Sequence, residues 1–368
     1  LHSILKHNGA IMLSMGVVIA GAGIVGASIG YHLAKRGAAV TILERQRPGA
    51  GATQNSFAWL NSTFSKQPHR YFLLNLLGIA GWRRLQSEIG SDLEIQWGGS
   101  VNWGPAELRD QVRKHQEWGY GTQLIDEAEL RKLLPNVLPG SFQAACWSRE
   151  EGAVDPMQAL RTILQRAQSF GAEVQYPCEV TGIDIAAGRV TGVQTTRGAI
   201  EAATLVLAAG VDTTRLAGFA EVHVPLQESP GVLAHTKPLP RLLDRIAMAP
   251  GANMKQNPDG RIVTASDFGG TPGSDASRAF GTRLLAAAAK YLPGLQGAEL
   301  ETMTLGYRVL PQDEYPIVGF TQKCPNLYIA AMHSGMTLSP LIGQYAATEI
   351  LDGATVEMLS PYRPSRFA

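Results

Sequence analysis

The hydrophobic positions of this chain change period along its length, and each change predicts an element. Val17–Ala20 is a continuous apolar run, the pattern of a strand buried on both faces. From Ile24 the apolar residues fall at helical spacing (Ile24, Ala27, Leu33, Ala34) until Gly37 closes the segment. Ala39–Leu43 is then a second buried run, ending at Glu44. Phe72, Leu76, Ile79, Leu85 and Ile89 predict a core helix over 69–89. Pro105 opens another that runs to about Trp118, and Asp126 caps a short one before Pro135. Asp155-Pro156 reads as a helix start and Gly171 as its stop. Short strands follow around 173–183, 189–196 and 199–207. They are broken at Ala187-Gly188 and Arg197-Gly198, the pattern of an antiparallel meander leading into a core strand. Residues 220–303 alternate strand-like segments with proline and glycine turns and hold one helix near 282–291. The strand Leu327–Ala331 leads through a glycine loop into a helix from about Pro340 to Leu351.

The first of these units carries chemistry. Gly21, Gly23 and Gly26 form G-x-G-x-x-G directly between strand and helix, and Glu44 closes the next strand. The first glycine makes the tight turn, the second lets backbone approach a pyrophosphate, and the third lets helix pack on sheet. The helix N-terminus faces the phosphate charge, and the acid takes the ribose hydroxyls. A dinucleotide is therefore the expected cofactor, and this motif alone does not separate NAD from FAD. Three later segments favour FAD: the strand Thr204–Leu207 running into Ala208-Ala209-Gly210, the loop GATQNSF, and the strand–glycine–helix unit AAMHSGMTLSPLIGQ.

Composition narrows the remaining classes. Of 368 residues 45% are hydrophobic and 17% charged, which argues against disorder and for two or three domains. A net charge of +1 with no basic stripe gives no case for nucleic acid. Cys146, Cys178 and Cys324 show no metal-ligand spacing, and read as buried or free thiols in a reducing compartment; no metal is expected. No apolar run is long enough to predict a membrane span. Met15 reads as the natural start and residues 1–14 as a disordered extension. The expected location is cytoplasmic, with peripheral association with a membrane left open.

The ordered series VVIAGAGIVGASIGYHLAKRGAAVTILER, GAGATQNSFAW, GAVDPMQALRTIL, CEVTGI, LVLAAGVDT, GYRVLPQDEYPIVG and LYIAAMHSGMTLSPLIGQYAATEIL resembles the D-amino-acid oxidase-like FAD oxidoreductases. The group contains glycine and sarcosine oxidases and D-amino acid dehydrogenases, and the resemblance covers residues 16–355. It implies an α/β fold: a discontinuous Rossmann-type FAD-binding domain plus a substrate domain on a mixed or antiparallel sheet with flanking helices. The boundaries expected are 15–68, 145–215 and 304–368 for the first, and 69–144 and 216–303 for the second. By the same resemblance Gly21, Ala22, Gly23, Ile24, Val25 and Gly26 hold the pyrophosphate, and Glu44 with Arg45 lies at the ribose. Ala52, Thr53, Asn55, Ser56 and Phe57 follow the cofactor toward its ring. Val180 holds the adenine through its backbone, and Ala209-Gly210 ends the second FAD strand. Gly306, Gly335, Met336, Thr337 and Leu338 complete the cofactor set, the last four beneath the flavin pyrimidine edge. No cysteine falls at the family's covalent attachment position, so FAD is expected to be noncovalent.

Arg308 matches the family arginine that pairs with a substrate carboxylate, a task suited to its planar fork. A surface arginine pairing with Asp313 or Glu314 is the alternative. His333 matches a second substrate-contact position, or is a histidine bonded within a buried loop. Thr337 falls where some relatives place a second cation, which threonine cannot supply. Lys255 either supplies that charge or is a solvated edge residue, and Trp59, Trp97 and Trp103 line the pocket or fill the core. The activity implied is oxidation of an amino acid or N-substituted amino acid at its C–N bond, with hydride passing to flavin and the imine hydrolysed to a keto acid or aldehyde. The alternatives are a 2-hydroxy-acid dehydrogenase with His333 as base, and a FAD-carrying subunit of a hetero-oligomeric opine or sarcosine oxidase. Expected partners are a small amino-acid-like carboxylate and an electron acceptor, either oxygen or a quinone or protein. Both homo- and hetero-oligomers stay open.

Overall fold

A computed structural model describes residues 16–267 and 271–368, so the extension expected over 1–14 lies outside the described residues. The chain divides into two compact units. One comprises the chain up to Gln54, Ala159–Glu228 and Tyr307–Ala368; the other comprises Asn55–Gln158 and Ser229–Gly306.

In the first unit the strands are β1 (Val17–Ala20), β2 (Val40–Leu43), β3 (Glu173–Gln175), β4 (Val180–Ala186), β5 (Arg189–Thr195), β6 (Gly198–Glu201), β7 (Thr204–Leu207), β8 (Ile317–Phe320) and β9 (Leu327–Ala331). Its central sheet has the order β8-β9-β7-β1-β2-β3, parallel throughout except for β8. The short all-apolar runs are explained by their position: β1, β7 and β9 are covered on both faces and buried at every residue. On one face lie α1 (Ile24–Lys35) and α2 (Gly335–Asp352). On the other, Val180, Val190 and Val193 from the antiparallel meander β4–β5–β6 pack with Val18, Leu205 and Leu207.

Several expectations are corrected here. The segment 173–183 is two elements: β3 is the edge of the parallel sheet and β4 begins the meander, with Pro177, which has no N–H for a ladder, between them. The segment 199–207 also divides. Ala202 N still bonds Thr191 O in the meander, whereas Ala203 N bonds Gly16 O, carrying the chain into the central sheet. The C-terminal helix starts at Gly335 rather than near Pro340. Pro340 lies in the second turn, where its ring leaves the Met336 carbonyl without the usual amide. The Ser339 hydroxyl donates to that carbonyl at 3.3 Å.

In the second unit a mixed sheet runs in the order Thr271–Pro272, Pro230–Thr236, Ile262–Ala265, Ala252–Gln256, Ile246–Ala249, Ser100–Gly104, Ala144–Ser148 and Gln123–Leu124. Leu300–Tyr307 also pairs with Pro230–Thr236. Only Ile246–Ala249 with Ser100–Gly104 is parallel among the registers described. Helix Arg278–Ala289 packs on one face through Leu284, Leu285 and Ala288. It starts four residues before the expected position because the Ser277 hydroxyl caps it, accepting from Phe280 N at 3.2 Å. The helix expected from Pro105 is preceded by a turn and begins at Leu108. Helices His69–Ile89 and Glu127–Leu133 fall where the periodicity and the Asp126 capping box place them.

The α1–α2 contact fixes the geometry of the first unit. A Cβ on Gly343 would collide with Ser28 Oγ and lie 2.7 Å from both the Ser28 carbonyl oxygen and His32 Cδ2. Gly343→Val must therefore push the two helices apart, costing at least about 2 kcal/mol. Urea unfolding of the variant is expected to show that loss; a change below about 0.5 kcal/mol would contradict the packing described.

Candidate active site

The parallel order of β1, β7 and β9 places the starts of α1 and α2 at the same, carboxyl edge of the sheet. They lie against each other, since a Cβ on Gly335 would meet Val25 Cγ2 at 3.3 Å. Two helix N-termini, each carrying about half a positive charge, thus converge on one edge. The glycines of the first turn have separable reasons. Gly21 has φ 109°, and a Cβ there would run into the Ala208–Ala209 backbone; one on Gly26 would strike the Gly21 carbonyl oxygen. A Cβ on Gly23 would meet only the Thr53 hydroxyl, at 3.2 Å. Gly21 and Gly26 therefore serve the protein's own packing, while Gly23 keeps the mouth of α1 clear. α1 begins with no side-chain cap and no acidic residue in its first turn. Ile24 N donates to Thr53 Oγ1 at 3.1 Å, which ties the glycine-rich loop across the helix start.

At the end of β2, Glu44 is fixed by backbone donors. Its Oε2 accepts from Ala22 N at 3.1 Å and its Oε1 from Gln46 N at 3.0 Å, so each oxygen retains a lone pair for an outside hydroxyl. Cys178 N bonds the Glu44 carbonyl at 2.7 Å, bringing buried Val180 to the same end. Arg45 is exposed and reaches Asp212 at 3.7 Å, just beyond the Ala209-Gly210 turn, where Gly210 has φ 63°. With Arg215 hydrogen-bonded to it and Arg45 near, the Asp212 carboxyl is held below its ordinary range, against partial burial. Ala52 is exposed and Thr53 buried.

Arg308 follows the strand ending at Tyr307 and is half-buried. Its neighbour Val309 enters the core, 3.6 Å from where a Cβ on Gly210 would stand, so Arg308 sits beside the Ala209-Gly210 turn. Asp313, one partner offered by the surface alternative, is held instead by Arg366 through two hydrogen bonds of 2.7 and 3.1 Å. Half-buried His333 lies between β9 and α2. Thr337 is buried in the first turn of α2 with Met336 and Leu338.

Asn55, Ser56, Phe57 and Gly306 belong to the second unit. Gly306 is dictated by close approach, since a Cβ there would lie 2.6 Å from Asn55 Cβ. Phe57 and Trp59 are core residues of this unit, and Trp103 is buried with its Nε1 on Pro139 O at 3.1 Å. Trp97 is partly exposed beneath the Arg83 guanidinium, 4.0 Å from its ring centre. Lys255 is no solvated edge residue: its strand is interior and the side chain is 1% exposed.

Sequence reasoning missed Glu151, which is wholly buried. It accepts hydrogen bonds from Trp59 Nε1 (2.8 Å), Ser100 Oγ (2.6 Å), Thr63 Oγ1 (2.8 Å), Ser62 N (3.1 Å) and Thr63 N (3.2 Å). Burial pushes its carboxyl up from the ordinary range, and these donors counter the push. Lys66 is buried nearby, and desolvation brings its ammonium down to about 7 despite Glu151. No spacing distinguishes Glu151 from Glu150 in Glu150-Glu151-Gly152, so nothing in the sequence announced it.

Comparison with known proteins agrees with this geometry. A family model described as FAD dependent oxidoreductase (DAO) matches residues 16–349. The chain is 27% identical to the bifunctional protein ThiO/ThiG of Trichormus variabilis over 95% of its own length, but spans only 55% of that protein. It is 26% identical to glycine oxidase of Geobacillus kaustophilus, covering 95% of this chain and 96% of that one. Among solved structures, L-proline dehydrogenase from P. horikoshii superposes with a TM-score of 0.86 at 23% identity, covering 96% of this chain and 97% of that one. The residues present fit FAD: an uncapped helix start, a glycine whose side-chain position is kept clear beside it, and a carboxylate fixed with lone pairs to spare. Among the described residues no cluster suited to a metal ion occurs, and no helix is long and apolar enough to cross a membrane.

Lys66 gives a pH test. Its folded value, about 7, lies below the unfolded 10.5, so between these the unfolded chain binds more protons and stability rises with pH. In Lys66→Met that contribution disappears. Urea midpoints from pH 7 to 10 are expected to climb more steeply in the parent than in the variant; parallel curves would contradict the assignment.

Proposed function

Because the chain belongs to the family of FAD-dependent oxidoreductases, we propose that it oxidises an amino acid or N-substituted amino acid at the C–N bond. The supporting observation is the position of Arg308, half-buried and directly before Val309, which packs beside the Ala209-Gly210 turn. An arginine so placed can hold a substrate carboxylate in two parallel hydrogen bonds and fix the α-carbon. FAD, when bound, supplies the hydride acceptor. The unit carrying β1, α1 and α2 is proposed to bind it noncovalently. Gly21–Gly26 would hold the pyrophosphate, Glu44 and Arg45 the ribose end, and Val180 the adenine. The N-terminus of α2 at Gly335–Leu338 would stabilise negative charge at the pyrimidine edge. Ala52–Phe57 and Gly306 complete the cofactor contacts, and the second unit would supply the substrate side. His333 and Thr337 are proposed to contact substrate, with no base or triad required.

Glycine oxidase, L-proline dehydrogenase and dimethylglycine dehydrogenase, all similar in sequence or fold, act on small amino acids or their N-substituted forms by their names, which supports this class. Electrons would leave to oxygen, a quinone or another protein, with the chain alone or within an oligomer.

Incubation with D-, L- and N-methyl amino acids is expected to release a keto acid or aldehyde with one class. Arg308→Ala is expected to raise the half-saturating concentration of that substrate by about 100-fold, the size of a lost charge-assisted pair. Turnover of 2-hydroxy acids alone, or an unchanged half-saturation in the variant, would overturn the reading.

A further inference from the structure

Four charged side chains of alternating sign, Arg45, Asp212, Arg215 and Glu179, are linked in the first unit, and all four belong to that unit. Asp212 is the hub. Its Oδ1 accepts from Arg215 Nε at 2.9 Å and its Oδ2 from Arg215 Nη2 at 2.7 Å, a bidentate pair. Arg45 Nη1 reaches the same carboxylate at 3.7 Å. Arg215 Nη2 also donates to Glu179 Oε1 at 3.1 Å. The Asp212 side chain is 16% exposed, against 47% for Arg45 and 43% for Arg215, so the carboxylate is the sheltered member. Its carboxyl is held low by the Arg215 hydrogen bonds and then by the charges of Arg215 and Arg45, against partial burial.

The links join three segments that are far apart in the sequence. Arg45 follows Glu44, whose carboxylate is anchored by Ala22 N and Gln46 N. Glu179 precedes Val180, the first residue of β4. Asp212 lies two residues beyond Gly210, where the chain leaves β7 and enters the short helix Thr213–Gly218 that carries Arg215. Glu44, Val180 and Gly210 are the three positions read as the adenosine end of the cofactor cradle. A single exposed ion pair adds little to folding, whereas a network orders several side chains together. The plainer role for Arg215 is packing, since its guanidinium carbon stands 5.7 Å from the centre of the Phe219 ring. That contact involves its own helix neighbourhood and leaves the bonds to Glu179 and Asp212 without a purpose.

We propose that Arg215 is a positioning residue for the adenosine end of FAD. Through Asp212 and Glu179 it braces the segments of Glu44, Val180 and Gly210 in the arrangement that receives the nucleotide. This rests on the reading of those positions as cofactor contacts. A cradle already arranged spends less of its binding energy on ordering when the ligand arrives. The affinity gained cannot exceed what the brace itself contributes, and ion pairs this exposed limit the effect to several-fold. Because three of the four charges face water, added salt screens the brace and weakens it.

The test compares Arg215→Met and Asp212→Asn with the parent holoenzyme. The readout is the FAD dissociation constant, from flavin fluorescence released on dilution, in about 0.05 M and about 0.5 M potassium chloride. Both variants are expected to bind FAD about fivefold more weakly than the parent at low salt, and to approach the parent at high salt. Asp212→Asn separates the brace from simple attraction between charges. Removing a negative charge would tighten the hold on an anionic cofactor if long-range attraction alone were at work, and tighter binding would overturn the proposal. A loss in Arg215→Met that salt does not change would also overturn it, leaving Arg215 as packing for Phe219. So would an unchanged dissociation constant, or failure of both variants to fold. The reading of the adenosine end is tested separately by Glu44→Ala. If that variant binds FAD as the parent does, the reading fails whatever Arg215 does.

Discussion

The backbone of α2 can lie against α1 only because position 343 carries no side chain where it faces Ser28 and His32. Much of the first unit follows from that approach. With β1 and β9 parallel and one strand apart, the crossing helices are held with their N-termini together, Gly335 against Val25. The dipoles of two helices are thereby summed at one edge of one sheet, where no acidic residue occupies the first turn of either. The Gly21 turn, the tie from Thr53 to Ile24 and the anchoring of Glu44 by Ala22 then arrange specific donors and acceptors around that edge.

The second unit works by a different principle, polar groups buried at a cost. Glu151 gathers Trp59, Ser62, Thr63 and Ser100 around one carboxylate, which fixes the segment just after Phe57 to the sheet. Such a fully bonded acceptor specifies one arrangement of its donors, where an apolar contact would tolerate several. Lys66 and Lys255 are buried in the same unit, and desolvation lowers both ammonium groups. The chain thus buries ionisable groups where hydrocarbon would cost less.

What was legible in the sequence follows the same division. β1, α1, β2 and β9 could be read because their periodicity is local and their glycines and caps are set by nearby backbone. The split of 173–183 between two sheets was not legible, because strand partners are chosen by tertiary contacts that the local pattern does not encode. The start of α2 was misplaced because Pro340 imitates a first-turn proline, and its compensation by Ser339 is a side-chain bond without a period. Gly21, Gly23, Gly26 and Glu44 could be singled out by motif, but Glu151 could not. Its role depends on donors from positions 59, 62, 63 and 100, which only the folded chain brings together.

The most direct measurement is the absorbance of the purified protein's flavin under anaerobic conditions, followed on addition of D-, L- and N-methyl amino acids, iminodiacids and 2-hydroxy acids. The account predicts that the flavin bands bleach rapidly with one amine class and persist with the hydroxy acids. A protein that carries no flavin, or one bleached only by hydroxy acids, would contradict it.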